Sequence, residues 1–212
     1  MMESGDRKAH WEAVYEQKDE AEVSWFQESP ALSIELIGAL APRPDASIID
    51  VGGGASRLVD ELVRRGHRDV TVLDLSQAAL QASQKRLGAQ AADVAWIAAD
   101  VTDWRPARTY DLWHDRAAFH FLTAPEDRVR YVARLTQALA PGGRAIIATF
   151  ALDGPEKCSG LPVVRYDAAA LGEALGEAFA WVETREHRHS TPWGSPQLFQ
   201  FSVFRRRIGD AA

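Results

Sequence analysis

The chain has 212 residues, of which 46% are hydrophobic and 25% charged, with a formal net charge of −6. This composition is typical of a globular protein with a substantial core, and the acidic balance excludes the basic footprint of a nucleic-acid-binding protein. One cysteine, Cys158, excludes a disulfide within the chain, and the charged N-terminal residues contain no apolar signal segment. We therefore expect a cytoplasmic protein with no nucleic-acid and no membrane partner.

About forty-five residues precede the first predicted strand. Trp11 and Tyr15 share one face of a short predicted helix, and Trp25 lies just before a second helix start at Pro30. These aromatic side chains either pack on the core or form a cover that excludes water from a ligand site. An aromatic cover would also suit a ligand that carries a positive charge.

The segment Ser47–Ser56, SIIDVGGGAS, is the most informative part of the chain. Its first half indicates a buried parallel strand, its three glycines allow close approach of the backbone to a ligand, and an amphipathic helix follows. Asp74 ends the next apolar strand, where its carboxylate can accept hydrogen bonds from ribose hydroxyls. The pattern predicts a nucleoside-binding site.

The glycine spacing distinguishes between two kinds of nucleoside ligand. Gly52 and Gly54 match the dinucleotide fingerprint, but Arg57 occupies the position of its third glycine. The Asp50 carboxylate beside the loop would repel a pyrophosphate and would suit a ligand with an ammonium group. The sequence therefore favours S-adenosylmethionine over NAD.

Strand-like and helix-like segments alternate along the chain, which predicts an α/β fold with a doubly wound parallel sheet and helices on both faces. The predicted helices are Ser56–Arg65, a Ser76-capped helix to Leu87, and a helix from a capping box at Thr123–Glu126 to Pro141. The predicted strands are Ser47–Val51, Asp69–Leu73, Val94–Ala98, Tyr110–His114, Arg144–Phe150, Ala180–Arg188 and Leu198–Arg207. No helix separates the last two strands, which predicts a C-terminal antiparallel hairpin. Loops at the carboxyl ends of the strands should form one ligand site.

The segment Trp113–Phe121 leaves the fourth predicted strand and should lie beside the reacting group. Asp115 could hold an ammonium group or take a proton from a second substrate, and Arg116 could steady a carboxylate. His120 has the unperturbed pKa of a proton acceptor, although a histidine between two phenylalanines is also typical of a packed core. Asp115 and His120 are the candidate catalytic residues.

The segment Asp153–Tyr166 is the longest region without periodicity, and its glycines and prolines predict an unstructured loop that acts as a lid. Cys158 within it is either a reactive thiol or an ordinary loop cysteine. His187 and His189 alternate on a predicted strand, and the sequence contains no zinc-binding spacing or carboxylate cluster. We expect a site without metal.

Four segments in order resemble the class I S-adenosylmethionine-dependent methyltransferases: Asp50–Ser56, Asp74, Ala99–Val101 and Leu139–Gly143. The resemblance implies a Rossmann-like sheet of seven strands, with S-adenosylmethionine as cofactor and S-adenosylhomocysteine as product. It implies that the three glycines pass beneath the methionine part, that Asp74 holds the ribose, and that Asp100 with the Val101 amide reads the adenine edge. One departure is Ser56, where many members of the class have another glycine.

The resemblance and the residue arguments together predict a single domain, 1–212, with a cap formed by residues 1–45 over a core of residues 46–212. The expected cofactor-binding residues are Trp11, Tyr15, Trp25, Asp50, Gly52, Gly53, Gly54, Ser56, Asp74, Leu75, Asp100, Val101, Asp115 and Arg116. The expected acceptor-binding residues are His120, Cys158 and Tyr166.

Two branches of the class resemble different parts of the chain. The thiopurine and thiol methyltransferases resemble it at Asp115-Arg116 and in the Gly160–Pro162 loop before Tyr166, whereas the elongation-factor lysine methyltransferases resemble it at Trp11–Tyr15. The usual motif of the lysine branch after the fourth strand is replaced here. We therefore expect methyl transfer by in-line displacement to a small nucleophile, a thiol among the candidates. The alternatives are a protein lysine substrate and a non-catalytic cofactor-binding module, in a monomer or homodimer.

Overall fold

The computed structural model describes residues 4–208. The predicted domain limits at residues 1 and 212 lie outside this range. The helices of the described residues are α1 Ser4–Gln17, α2 Ala31–Leu40, α3 Leu58–Arg64, α4 Gln77–Leu87, α5 Pro125–Ala138 and α6 Ala168–Leu175. None of the helices within residues 4–208 combines the length and the apolar character that a membrane span requires.

Seven strands form one twisted sheet in the order β3-β2-β1-β4-β5-β9-β8. Their bounds are β1 Ser47–Val51, β2 Asp69–Asp74, β3 Val94–Ala98, β4 Tyr110–Arg116, β5 Leu139–Phe150, β8 Phe179–Ser190 and β9 Pro196–Arg206. The first five strands pair in parallel, and β9 pairs antiparallel with both β5 and β8. This confirms the predicted Rossmann-like sheet with its C-terminal antiparallel hairpin.

The winding direction of the sheet reverses at β1. The chain runs outward from β1 through β2 to β3, then returns to the other side of β1 to form β4 and β5. Open α/β sheets bind ligands at such a reversal, beyond the carboxyl ends of the strands. The glycine segment follows β1, so the topology places it at this position.

Each face of the sheet carries its own apolar core. Ile48 and Ile49 are adjacent in β1 and fully buried, but they belong to different clusters because successive strand side chains point to opposite faces. Leu62 of α3 packs in the cluster with Ile48, and Leu135 of α5 packs in the cluster with Ile49. Helices therefore cover both faces, as predicted.

The local helix signals were correct for α4 and partly wrong for α5. The Ser76 side chain caps α4 by accepting a hydrogen bond from the Ala79 amide. For α5 the predicted capping box is wrong, because Ala124 is the N-cap and makes no side-chain cap hydrogen bond. Instead of a capping box, Pro125 at the first position of that helix favours its start, because the proline ring fixes φ near the helical value. The helix ends at Ala138, before the predicted Pro141, because Leu139 already pairs with Tyr110 as the first residue of β5.

The segment predicted as an unstructured loop contains a small hairpin. Its strands are β6 Lys157–Cys158 and β7 Leu161–Pro162, which pair antiparallel across Ser159 and Gly160. Both turn residues have positive φ, 51° and 77°. The hairpin places Cys158 in the interior, with 4% of its surface exposed.

Candidate functional site

A cavity lies at the carboxyl ends of β1, β2, β3 and β4, beneath the N-terminal helix α1. It encloses about 840 Å³ of space, part of which is open to solvent. Most of its wall is apolar and aromatic, with a small number of charged groups. The lining residues are Arg7, Trp11, Tyr15, Trp25, Val51, Gly52, Leu73, Asp74, Leu75, Ala99, Asp100, Val101, Arg116, Ala117, Ala118, Phe121, Leu122, Cys158 and Phe199.

The glycine loop forms the floor of the cavity at the end of β1. Gly52 has a φ of +70°, and its amide donates a 2.8 Å hydrogen bond to the Leu73 carbonyl of β2. A Cβ at this position would lie 2.9 Å from the Cβ of Ala118, on the turn after β4. A side chain would therefore strain the backbone and crowd the neighbouring turn, and its absence leaves the backbone open to the cavity.

Asp74 supplies a carboxylate to the cavity at the end of β2. Its Oδ1 accepts a 2.8 Å hydrogen bond from the Ser76 amide, and 7% of the residue is exposed. Burial raises the pKa of Asp74 to about 7, the hydrogen bond from Ser76 opposes this shift, and the charge of Asp50 adds to it. Because no ion pair to Asp74 forms within residues 4–208, its carboxylate can accept hydrogen bonds from a ligand.

Asp100 follows β3 and is held by Arg7 of the N-terminal helix α1. Its Oδ1 accepts hydrogen bonds from the amide and hydroxyl of Thr102, at 2.9 and 2.8 Å. Its Oδ2 lies 2.8 Å from Nη2 of Arg7, and Nη1 of Arg7 reaches Asp127 at the start of α5. Arg7 is itself 8% exposed and lines the cavity. The arginine thus fixes α1 over the end of β3.

Two further carboxylates fasten the N-terminal segment of residues 4–27 to the core. Glu12 caps the start of α4, where its carboxylate accepts hydrogen bonds from the Ser76 hydroxyl and the Gln77 and Ala78 amides at 2.7–3.0 Å. Glu20 pairs with Arg57 at 2.8 Å and also with Arg86 of α4. Arg57, which occupies the third-glycine position of the dinucleotide fingerprint, therefore pairs with Glu20 of the N-terminal segment.

Aromatic rings form the roof of the cavity. Trp11 of α1 makes edge contacts with Trp25 and Phe121, with ring centroids 5.5 and 5.0 Å apart. The Trp25 indole N–H donates to the Tyr15 hydroxyl at 3.2 Å. Such a surface binds apolar groups and attracts cations through the ring quadrupoles. It also limits the access of water.

Arg116 is the cation at the end of β4. Its Nη2 donates a 2.7 Å hydrogen bond to the Trp25 carbonyl, and its guanidinium lies 5.6 Å from the centre of the Phe199 ring. Burial lowers the pKa of Arg116 to about 10, which leaves the side chain charged at neutral pH. The cavity therefore has a positive group on the β4 side and carboxylates on the β2 and β3 side.

Several predicted site residues lie behind the cavity wall. Asp50 is 2% exposed and contacts His114 Nδ1 at 2.7 Å, while His114 Nε2 lies 2.9 Å from Ser33 Oγ. The Asp50 carboxylate lies directly against the glycine loop, since a Cβ at Gly53 would lie 2.4 Å from Asp50 Oδ2. Gly53, Gly54 and Ser56 are likewise outside the lining.

Asp115 points to the opposite face of the sheet from Arg116. Its Oδ2 accepts a 2.6 Å hydrogen bond from the Tyr131 hydroxyl, and its Oδ1 accepts one from the Ala118 amide at 2.8 Å. The residue is fully buried, and burial raises its pKa to about 6 against the effect of the Tyr131 hydrogen bond. This geometry makes Asp115 a brace for the turn after β4.

His120 and Tyr166 lie in the core beside the cavity. The His120 ring packs between Phe121 and Phe150, with centroids 4.5 and 4.9 Å away, and its Nε2 has no hydrogen-bond partner among the described residues. Burial, assisted by the Arg116 charge, lowers the pKa of His120 to about 3. Tyr166 is 5% exposed and packs on Phe119. Neither residue lines the cavity.

The sequence interpretation missed Arg7 and Phe199 as site residues. Arg7 precedes Trp11 by one helical turn and Tyr15 by two, so the helical period could have identified it. Phe199 had no local signal, because only the antiparallel addition of β9 to the sheet brings it to the cavity. Within residues 4–208, no group of three or more His, Cys, Asp or Glu side chains could hold a metal ion.

Comparison with known proteins identifies a methyltransferase region. Residues 48–143 match the family model described as "Methyltransferase domain". The mouse eEF1A lysine and N-terminal methyltransferase is 22% identical over 67% of this chain and 21% of its own length. The ubiquinone/menaquinone biosynthesis C-methyltransferase UbiE of Ruegeria sp. (strain TM1040) is 30% identical over 52% of this chain and 45% of its own length. The chain thus matches less than half the length of these curated relatives.

A solved structure shows the same fold over nearly the whole chain. The 1,6-didemethyltoxoflavin-N1-methyltransferase of Burkholderia thailandensis, with bound substrate and S-adenosylhomocysteine, has a TM-score of 0.69 and 20% identity. The alignment covers 98% of this chain and 92% of that one. The ordered motifs, the sheet order and these matches support a class I S-adenosylmethionine-dependent methyltransferase.

Proposed function

We propose that this chain transfers a methyl group from S-adenosylmethionine to a small nucleophilic acceptor that needs no general base from the protein. When bound, the cofactor supplies a methyl group on a sulfonium sulfur, which a nucleophile takes up by in-line displacement to leave S-adenosylhomocysteine. The chain itself contributes binding, orientation and exclusion of water, and positioning alone can supply on the order of 7–11 kcal/mol.

The residues that face the cavity fit the cofactor. The Asp74 carboxylate would accept hydrogen bonds from ribose hydroxyls, and Asp100 with Val101 would border the adenine. Gly52, without a side chain, would allow the methionine part to pass close to the backbone. The aromatic roof of Trp11 and Trp25 would exclude water from the sulfonium and attract its charge.

One observation carries the choice of acceptor: the β4 side of the cavity presents no proton-accepting side chain among the described residues. The turn after β4 contributes Ala117, Ala118, Phe121 and Leu122 to the wall, together with the Arg116 cation. A protonated amine must lose a proton before it can accept the methyl group, whereas an ionised thiol need not. The wall therefore favours an acceptor that arrives already nucleophilic.

The other titratable groups on this side are protonated at neutral pH. Burial raises the pKa of Cys158 to about 11, and burial together with the Asp74 charge raises the pKa of Tyr15 well above its usual range. The lining carboxylates of the described residues, Asp74 and Asp100, follow β2 and β3, on the far side of β1 from Arg116. Neither is positioned on the acceptor side by the order of the strands.

A protein lysine is the second candidate, favoured by the similarity to the eEF1A methyltransferase of mouse. Against it, Arg116 would repel a lysine ammonium, and α1 with its aromatic side chains covers the opening. The third candidate, a non-catalytic cofactor-binding module, predicts binding without transfer. A cytoplasmic location, a single domain with an N-terminal cap, and a monomeric or homodimeric state remain predictions.

The test combines binding with the pH dependence of transfer. Calorimetry should show saturable binding of S-adenosylmethionine and S-adenosylhomocysteine, and labelled cofactor should methylate small thiols in preference to amines and lysine peptides. With two thiols of different pKa, the inflection of kcat/KM against pH should move with the thiol. An inflection at one fixed pH for every acceptor would indicate a protein base and contradict the proposal; labelling of lysine alone would favour the second candidate.

A further inference from the structure

The charge on Arg116 has no counterion within the described residues. A guanidinium has five N–H donors, and the hydrogen bond found for Arg116 is the one from Nη2 to the neutral Trp25 carbonyl. No carboxylate within residues 4–208 lies within 4.0 Å of it. Asp50, whose charge acts on Arg116 from a distance, is hydrogen-bonded to His114. The cavity wall therefore carries an uncompensated positive charge.

Such a charge is costly in a mostly apolar cavity unless a partner neutralises it. Buried charges in proteins are paired or hydrogen-bonded, and an arginine beside a carboxylate forms short bidentate contacts. The remaining N–H groups of Arg116 suit a planar anion of this kind. A ligand that brings a negative charge to the β4 side would offset the charge of the wall.

The position of Arg116 assigns this anion to the acceptor. In the sheet order, Asp100 and Asp74 follow β3 and β2 on one side of β1, and Arg116 follows β4 on the other. Its guanidinium packs over Phe199 of β9, two strands beyond β4 and further from the carboxylates. A cofactor held by Asp74 would leave this end of the cavity for the second substrate.

Within the cavity, most of the wall near Arg116 is apolar. Phe199 lies beneath the guanidinium, Trp25 contributes its carbonyl and its ring, and Phe121 closes the same end of the cavity against Trp11. These rings would bury the body of a planar or aliphatic molecule. An acceptor that fits is small, largely apolar and anionic.

We propose that Arg116 selects an apolar anionic acceptor by pairing with its carboxylate or equivalent anionic group. This inference rests on the proposed methyl transfer and names the class of its substrate. The same anion-binding chemistry could instead serve the amino-acid carboxylate of the cofactor. The experiment therefore needs separate arms for the two sources.

The acceptor arm uses unreactive probes of one shape and different charge. Protein saturated with S-adenosylhomocysteine is titrated calorimetrically with benzoate, benzamide and benzylamine. In the wild type, benzoate should bind about tenfold or more tighter than benzamide, the range of one charge-assisted contact, and benzylamine weakest. Arg116→Met should abolish the preference, and Arg116→Lys should keep part of it. Arg188→Met, at an exposed arginine of β8, should behave as the wild type.

The cofactor arm compares S-adenosylhomocysteine with 5′-methylthioadenosine, which lacks the amino-acid carboxylate. Arg116→Met should bind both within about threefold of the wild type and unfold cooperatively. A selective loss of S-adenosylhomocysteine affinity would assign Arg116 to the cofactor and overturn the inference. Equal binding of benzoate and benzamide to the wild type, or no benzoate binding at millimolar concentration, would also overturn the inference about Arg116. Neither result would contradict the proposed methyl transfer. If the wild type binds no S-adenosylhomocysteine, the proposed function and the inference about Arg116 both fail.

Discussion

Replacing Gly53 with alanine should destabilise the protein, because the glycine loop rests directly on the Asp50 carboxylate. An alanine Cβ would lie 2.4 Å from Asp50 Oδ2 and 2.9 Å from Val72 Cγ1, where ordinary contacts are 3.4–4 Å. The loop or the carboxylate must therefore move by about 1 Å. Asp50 cannot retreat without disturbing its 2.7 Å contact with His114, which is fixed in turn by Ser33.

The size of the effect follows from this overpacking. Forcing an extra carbon into a close-packed interior costs about 1–3 kcal/mol. For a protein of this length, each kcal/mol lowers the Tm by about 2–4 °C, so we expect a decrease of about 2–12 °C. Affinity for S-adenosylhomocysteine should fall as well, about fivefold for each kcal/mol by which the displaced loop weakens binding.

The matched control is Gly38→Ala in α2. Gly38 is exposed, and no atom lies within 4 Å of a Cβ built there. Alanine at this helical position should stabilise the protein by about 0.5–1 kcal/mol. Urea unfolding and calorimetric titration of both variants check the reasoning. A Gly53→Ala protein that is as stable as the wild type and binds S-adenosylhomocysteine equally well would refute it.

Three further substitutions probe the charges of the site. Because the pKa of Asp74 is raised from 3.8 to about 7, its ionisation lowers the free energy of unfolding as pH rises through that range. Asp74→Asn should therefore have a higher Tm than the wild type at pH 8 and should lose this advantage below pH 4. It should also bind S-adenosylhomocysteine more weakly. Arg7→Met removes the two ion pairs that join α1 to Asp100 and Asp127, so amide hydrogen exchange in α1 should quicken and the binding free energy of S-adenosylhomocysteine should weaken by about 1–3 kcal/mol. Unchanged exchange would contradict the role of Arg7 as an anchor. His120→Leu removes a histidine whose pKa is lowered from 6.5 to about 3, so the free energy of unfolding should decline less steeply than in the wild type as pH falls through that range. If urea unfolding shows the same dependence of this free energy on pH in both proteins, the reasoning is refuted.

Local patterns predicted the parts of the structure that local forces determine. The β1 strand, the glycine turn and the Ser76 cap of α4 lie where the sequence indicated, because each depends on neighbouring residues alone. The contact between Asp100 and Arg7 joins residues 93 positions apart, and no local pattern specifies it. Phe199 reaches the cavity only through strand order.

The interpretation of the segment after β4 depended on where the strand ends. The predicted strand stopped at His114, which left Asp115 and Arg116 in a loop where both could face a ligand. The strand continues to Arg116, so alternate residues point to opposite faces, and Asp115 turns toward Tyr131 while Arg116 reaches the cavity. A difference of two residues in a strand boundary thus decides that Arg116 lines the cavity and that Asp115 lies behind it.

The anchoring of α1 has a consequence for how the protein forms during translation. Arg7 leaves the ribosome long before Asp127, which follows it by 120 residues, and before most of the sheet exists. The roof helix therefore cannot take its final position until α5 has emerged. A nascent chain would carry the glycine turn and the strands β1 and β2 without a closed cavity, so we expect tight cofactor retention to begin only late in synthesis.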